Sequence, residues 1–79
     1  MTLEEHYIVY PEGDTQAISH QLRFNQVVDI NGNPLRLPLP RVKMIAYRVY
    51  KITRQENRGE NISFYHLSLL HRDEILGLV

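Results

Sequence analysis

The sequence predicts a small all-β domain of about five strands that ends in a short helical turn. Three observations support this class. Segments rich in β-branched and aromatic residues recur along the chain, glycine-containing turn signals separate them, and 79 residues allow only a single domain, residues 1–79. Because a chain this short buries only about 60% of its unfolded surface, we expect a marginal core, and self-association is one way to support it.

The first predicted strand spans residues 6–10, whose sequence His-Tyr-Ile-Val-Tyr favours extended structure. A proline, a glycine and two acidic residues follow this strand and predict a long loop. Residues 21–30 then predict a half-buried strand, because Leu22, Phe24 and Val28 share one parity of the alternation.

A tight reversal is predicted at Asn31-Gly32, because this dipeptide tolerates positive φ at little cost. The return strand is predicted at 35–40. Proline cannot donate to a ladder, so Pro38 and Pro40 place this strand at an edge of the sheet. Alternate residues of the segment are leucines that would point to one side: Leu35, Leu37 and Leu39.

Residues 41–54 are compatible with two structures. Their apolar residues fall on one side of a helical wheel, which favours a helix. However, half of the segment is Val, Ile, Thr or Tyr, and no N-cap residue precedes it. Arg41 and Lys43 would also lie at the positive end of the helix dipole, where cations are unfavourable.

A turn signal at 56–59, closed by a glycine, favours the strand interpretation of this segment. We therefore predict a long hairpin of residues 42–55 and 60–70. The alternative is an α+β fold with a helix at about 41–57.

The C-terminal residues predict a short amphipathic turn in which Ile75, Leu76 and Leu78 cover an open end of the sheet. The predicted elements together form a five-stranded antiparallel sheet or a partly open barrel. In the number of its elements this arrangement resembles the small SH3-like and OB-like barrels.

Composition excludes several classes of chemistry. The absence of cysteine excludes disulfides, cysteine zinc sites and a cysteine nucleophile. The four histidines lack the close spacing of metal ligands, and the four glycines are too scattered for a phosphate-binding loop. We therefore predict no catalytic residues, no metal and no cofactor. No apolar run is long enough to span a membrane, and the N-terminal segment is acidic, unlike a secretory signal. We therefore expect a soluble, cytoplasmic protein that does not associate with membranes.

Charge is uneven along the chain, although the formal net charge is zero. Residues 1–22 carry four acidic residues and no lysine or arginine, whereas residues 23–58 carry eight basic residues and two acidic ones. Tyrosines alternate with the basic residues, which makes this segment the candidate binding surface. The candidate residues are Arg41, Lys43, Tyr47, Arg48, Tyr50, Lys51, Arg54 and Arg58.

Two functions follow from these features. The first is a non-catalytic domain that acts through protein–protein contact, including a homodimer. This function is indicated because a small core cannot bury all the apolar surface of the leucines at 35–39 and of four aromatic residues: Tyr47, Tyr50, Phe64 and Tyr65. The alternative is nucleic-acid binding by 41–58, with basic residues on phosphates and tyrosines stacked on bases. A sequence pI near 6.9 is low for that alternative.

Overall fold

The computed structural model describes residues 3–41 and 43–79. Five strands form one sheet, in which the order is β2-β1-β5-β4-β3, and a short helix follows them. The elements are β1 (Leu3–Val9), β2 (Thr15–Ile18), β3 (Val27–Val28), β4 (Tyr47–Asn57), β5 (Glu60–Leu69) and α1 (Arg72–Leu76). The sheet is a half-barrel, so the predicted class, a small β fold with a short C-terminal helical turn, is confirmed.

The sheet is mixed and not purely antiparallel. β1 pairs with β2 and β4 pairs with β5 in antiparallel fashion, but β1 runs parallel to β5 along its whole length. The Leu3 N–H donates to the Gly59 carbonyl at 2.8 Å and fixes the start of this parallel pair. The N-terminal strand thus docks on the free side of the β4–β5 hairpin, a long-range pairing that local sequence patterns do not encode.

The N-terminal region contains a strand that the sequence did not predict. The loop after β1 is a short turn, closed by a hydrogen bond from Tyr10 N–H to the Asp14 carbonyl at 2.8 Å, and β2 follows at once. Three of the four residues of β2 are exposed, so the strand shows no apolar alternation that would indicate it.

The strand predicted at 21–30 is mostly wrong, because only β3 is extended there. Asn25 adopts a left-handed backbone with φ of +67°, which interrupts the extended run. The side chain of Gln26 accepts a hydrogen bond from Arg23 N–H at 2.9 Å and closes a turn at this point. Leu22 is buried as predicted, whereas Phe24 is 63% exposed.

The reversal predicted at Asn31-Gly32 is confirmed. The Asp29 carboxylate accepts hydrogen bonds from the backbone N–H groups of Asn31 and Asn33, both at 2.9 Å, and Gly32 has a φ of +83°. An Asx-type turn of this kind fixes a tight change of direction.

The return strand predicted at 35–40 is wrong. A single bridge joins Val28 to Pro34, after which the chain leaves the sheet. The three leucines do not share a side, because Leu39 is buried, Leu35 is half-buried and Leu37 is 53% exposed. Two prolines in this segment deprive it of ladder donors, and it crosses the sheet as irregular chain.

The long hairpin is confirmed as β4 and β5, and the alternative helix at 41–57 is wrong. The first strand begins at Tyr47 and not at residue 42; Val42 itself lies outside the described residues. A register shift between Val49 and Lys51 marks a bulge at Tyr50, which explains the poor alternation of this segment in the sequence. Gly59 closes the hairpin with a φ of +73°.

The sheet has a buried cluster on each face. We call the face that carries Ile8, Val49 and Tyr65 the inner face, because these side chains form the larger cluster together with Leu22, Val28, Tyr47 and Leu67. The second cluster lies at the β3 end of the opposite, outer face. It joins the irregular segments 35–41 and 43–46 and α1 to the sheet through Val27, Leu39, Ala46, Leu70 and Ile75.

Helix α1 begins with a capping interaction in which His71 N–H donates to the Glu74 carboxylate at 3.2 Å. Ile75 is buried and Leu78 is half-buried, so the predicted cover over the end of the sheet is present. Leu76 is 47% exposed and does not take part in it, because a helix of five residues buries only one stripe.

Candidate functional site

An aromatic strip occupies the part of the outer face that the second cluster leaves uncovered. Tyr7 of β1 and Phe64 of β5 are register partners, and their rings stack with centroids 5.7 Å apart and planes 23° from parallel. Val9 and Ile62 lie on the same face, one step along the strand on either side of this pair. All four side chains are half-buried, and none belongs to either buried cluster.

The strip continues toward β4 through a second pair of rings. His66 lies beside Phe64 on the outer face, and its imidazole is 6.2 Å from the ring of Tyr50, the bulge residue. The His66 Nε2 is also 3.1 Å from the Thr53 hydroxyl. Tyr50 is 53% exposed because the bulge turns it outward. The outer strip therefore comprises Tyr7, Val9, Tyr50, Ile62, Phe64 and His66.

Charged residues flank the two ends of the outer strip. Glu5 and Glu60 lie on the outer face at one end, where the Tyr7 hydroxyl donates to Glu5 Oε2 at 3.1 Å. The pKa of Tyr7 is raised, first by this hydrogen bond, then by the negative charge of Glu5, by desolvation and by Glu60. Arg48 and Lys51 lie on the same face at the other end. The strip thus runs from an acidic end to a basic end.

The structure does not gather the predicted basic residues on one surface. Lys51 and Arg54 lie on opposite faces of β4, because Lys51 pairs with His66 and Arg54 with Ser63. Arg48 is half-buried on the outer face, and its Nε has no hydrogen-bond partner. The remaining basic candidates are exposed in the connection before β4 and in the hairpin turn: Arg41, Lys43 and Arg58.

The two predicted tyrosines differ in exposure. Tyr47 is only 8% exposed and packs edge-on against Tyr10 in the larger cluster, with ring centroids 5.9 Å apart. Its ring is therefore not exposed for stacking on a base. Tyr50 is exposed and belongs to the outer strip.

Comparison with known sequences identifies the family. The profile of a family described as "Uncharacterised Treponema protein" matches residues 2–78 of the chain. The chain belongs to this family. No curated protein and no solved structure matches it.

In this member of the family, a polar cleft of about 90 Å³ opens on the inner face, beyond the end of the larger cluster. This cleft was not predicted from the sequence, because its residues come from three strands and a loop. The cleft could have been predicted from the polar residues at i, i+2 spacing within each strand, because residues with this spacing share a face of the sheet. The cleft is lined by Glu4, His6, Gln21, Arg54, Glu56, Asn61, Ser63 and Tyr65.

The described residues, 3–41 and 43–79, contain no group of three or more histidine and acidic side chains that could hold a metal ion. The helix they contain is too short and too polar to cross a membrane.

Proposed function

We propose that this chain is a non-catalytic β domain that acts through protein–protein contact, with the outer strip as its contact surface and a second copy of the chain as its partner. The observation that supports this proposal is the stacked pair Tyr7 and Phe64, half-exposed at the centre of the sheet. A cytoplasmic location is part of the proposal, and a chain without cysteine suits a reducing compartment.

The exposed face of a half-covered sheet is ordinarily polar. Here, the two adjacent strands at the middle of the sheet carry aromatic and aliphatic side chains on that face instead. Aromatic side chains contribute much of the binding energy of protein interfaces, since they bury a large area with few rotatable bonds. The stacking of Tyr7 on Phe64 already restricts both rings, so little further side-chain entropy is lost on contact.

The charge layout favours a second copy as the partner. In a two-fold dimer, each copy presents the same patch to the other in the opposite direction. The acidic end of one outer strip, at Glu5 and Glu60, would then face the basic end of the other, at Arg48 and Lys51. Such complementarity fixes the orientation of the contact and disfavours other orientations.

Sedimentation velocity across a range of protein concentrations tests this proposal. We expect the native chain to form a dimer and the variant Phe64→Thr to remain a monomer, because threonine keeps the strand but removes the ring. Phe24→Thr is the matched control, since Phe24 is 63% exposed and lies outside the outer strip. A native chain that stays monomeric at every concentration would contradict the proposal.

A charge exchange tests the orientation separately. Lys51→Glu places like charges together in the two-fold arrangement and is expected to weaken the dimer, and the double variant Lys51→Glu, Glu60→Lys is expected to restore it. Equal dimer affinities for the native chain and the single variant would contradict the two-fold arrangement.

Nucleic-acid binding through 41–58 is the weaker proposal. Its basic side chains lie on both faces of β4 and in two separate loops, and Tyr47 is buried. Phosphate contacts would make the affinity for single-stranded nucleic acid fall steeply with salt. An affinity that is negligible at low salt would remove this alternative.

A further inference from the structure

The polar cleft on the inner face, which we call the inner cleft, is unrelated to the outer strip. It lies where the larger cluster ends and the inner face continues beyond it as polar side chains. Its three strands, β1, β5 and β4, are neighbours in the sheet, so the backbone fixes the positions of its side chains. A site on regular strands is held more firmly than one on loops.

The floor of the inner cleft is formed by β5. Ser63 is 8% exposed and Tyr65 is 2% exposed. The small side chain of Ser63 leaves the hollow between the larger side chains of the two flanking strands. The Tyr65 hydroxyl lies 3.0 Å from His6 Nδ1, and the two rings stack with centroids 5.9 Å apart. This contact holds the imidazole of His6 at the side of the hollow.

The register arranges the lining residues in two rows across the strands. The deeper row is His6, Ser63 and Arg54, which are partners in the ladders of β1, β5 and β4. The outer row, two residues along each strand, is Glu4, Asn61 and Glu56. Two residues along a strand correspond to about 7 Å between the rows.

The two rows differ in chemistry. The deeper row offers the guanidinium of Arg54 and the hydroxyl of Ser63 as donors, which suit a carboxylate. The outer row offers the carboxylates of Glu4 and Glu56 and the amide oxygen of Asn61 as acceptors, which suit an ammonium group. The cleft is therefore positive at its deeper end and negative at its outer end.

This polarity selects among possible ligands. A simple anion would be repelled by Glu4 and Glu56, and a simple cation would leave the guanidinium of Arg54 without a counter-charge. A molecule with both charges satisfies both rows. We propose that the inner cleft binds a small zwitterion, namely a free amino acid without a large side chain, with its carboxylate at Arg54 and its ammonium group between Glu4 and Glu56.

The size of the inner cleft supports the same class of ligand. Its volume of about 90 Å³ is that of about three water molecules. A molecule such as glycine or β-alanine fits this space, whereas a nucleotide or a sugar does not. Glu4, Arg54 and Glu56 are exposed, so the ligand would remain partly in contact with water and an affinity of about 1 mM is expected.

An NMR titration of the ¹⁵N-labelled chain with β-alanine tests the proposal. Propionate lacks only the ammonium group of β-alanine, and ethylamine lacks only its carboxylate, so at matched ionic strength each singly charged probe tests one end of the ligand. We expect saturable shifts of the backbone amides of the two rows with β-alanine, and at least about tenfold weaker binding of the two singly charged probes. Equal binding of all three probes, or no saturable shift, would overturn the proposal.

Two variants separate the two ends of the ligand. Arg54→Gln is expected to weaken β-alanine binding at least about tenfold while leaving ethylamine binding unchanged or stronger. Glu56→Gln is expected to weaken β-alanine binding and to spare propionate. Arg58→Gln is the control, because Arg58 lies in the hairpin turn outside the cleft. All three positions are exposed, so the amide spectra should remain those of the folded chain, and unchanged affinity in both cleft variants would contradict the site.

Discussion

Tyr10 contacts three parts of the chain, two through its hydroxyl and one through its ring. This oxygen lies 3.0 Å from Gln16 Oε1 and within hydrogen-bond distance of the Ile30 carbonyl, while the ring packs on Tyr47. Its pKa is raised above the ordinary value of 10.0, mainly by burial and then by Tyr47, Glu12 and Asp29. The folded state therefore favours the neutral phenol.

The free energy of unfolding is expected to decline at alkaline pH because the pKa of Tyr10 is raised in the folded state. A group whose pKa is higher in the folded state gives its full stabilisation below its unfolded value, here near pH 10.0, and loses it as the pH rises through the folded value. Urea unfolding at increasing pH should show this loss in the native chain and a smaller loss in Tyr10→Phe. An identical alkaline decline in both proteins would contradict it.

Gly32 shows how packing and backbone strain combine at one residue. It has a φ of +83°, and a Cβ at this position would lie 3.2 Å from side-chain atoms of Ile8 and Ile18. We expect Gly32→Ala to lower the free energy of unfolding by about 2 kcal/mol or more. Gly13→Ala is the matched control, because Gly13 has a φ of +101° but an open environment, and should cost about 1 kcal/mol. Equal costs in urea unfolding would show that the contact with the isoleucines is unimportant.

Arg48 carries a polar atom that the fold leaves unsatisfied. Its Nε is buried without a hydrogen-bond partner, which costs free energy in the folded state. Replacement with methionine keeps the aliphatic stem and removes this atom, so Arg48→Met, made in the monomeric Phe64→Thr background, should leave the unfolding free energy unchanged or raise it by up to about 1 kcal/mol. The exposed Lys51→Met provides the reference. A loss of stability greater than in the reference variant would contradict this assignment.

Among the elements, β5 is the centre of the sheet and β2 is an uncovered edge. β5 is paired with β4 along its length and with β1 from Glu60 to His66, whereas the four-residue β2 has one partner and three exposed residues. Hydrogen exchange should therefore be slowest for the amides of β5 and fastest for those of β2, with the opening of β2 independent of the rest of the sheet. Similar protection in both strands would indicate that β2 unfolds only together with the whole sheet.

The elements also show what the sequence could predict. The β4–β5 hairpin was predictable because β-branched residues flank a glycine that must adopt positive φ. The strand predicted at 21–30 was too long, because nothing in the alternation of residues in this segment indicates the left-handed backbone of Asn25. β2 was missed because a short exposed edge strand has no apolar pattern.

The candidate sites were less predictable than the elements, for a physical reason. Arg54 was assigned to a basic surface, but its register partner is Ser63 and it lies among acidic residues in the inner cleft. Tyr7 and Phe64 are 57 positions apart in sequence and become neighbours only through the parallel pair. Both surfaces depend on strand order and register, and these are set by long-range packing.

For the molecule as a whole, the proposed dimer has a consequence for stability. The described residues have an elongated shape, with extents of 44 × 23 × 16 Å, and two small clusters instead of one large core. If contact at the outer strip supplements these clusters, the thermal midpoint should rise with protein concentration in the native chain and in Phe24→Thr, but not in Phe64→Thr. A midpoint independent of concentration in all three would contradict a dimer that stabilises the fold.

The parallel pairing of β1 with β5 also has a consequence for synthesis on the ribosome. The strand that emerges first occupies the position between β2 and the strand that emerges last. Until Leu69 has left the exit tunnel, β1 lacks the neighbour against which it packs, so the nascent chain cannot complete its sheet. Closure of this sheet is therefore expected to wait for the last of its strands, because its longest-range contact is also the one that joins its two halves.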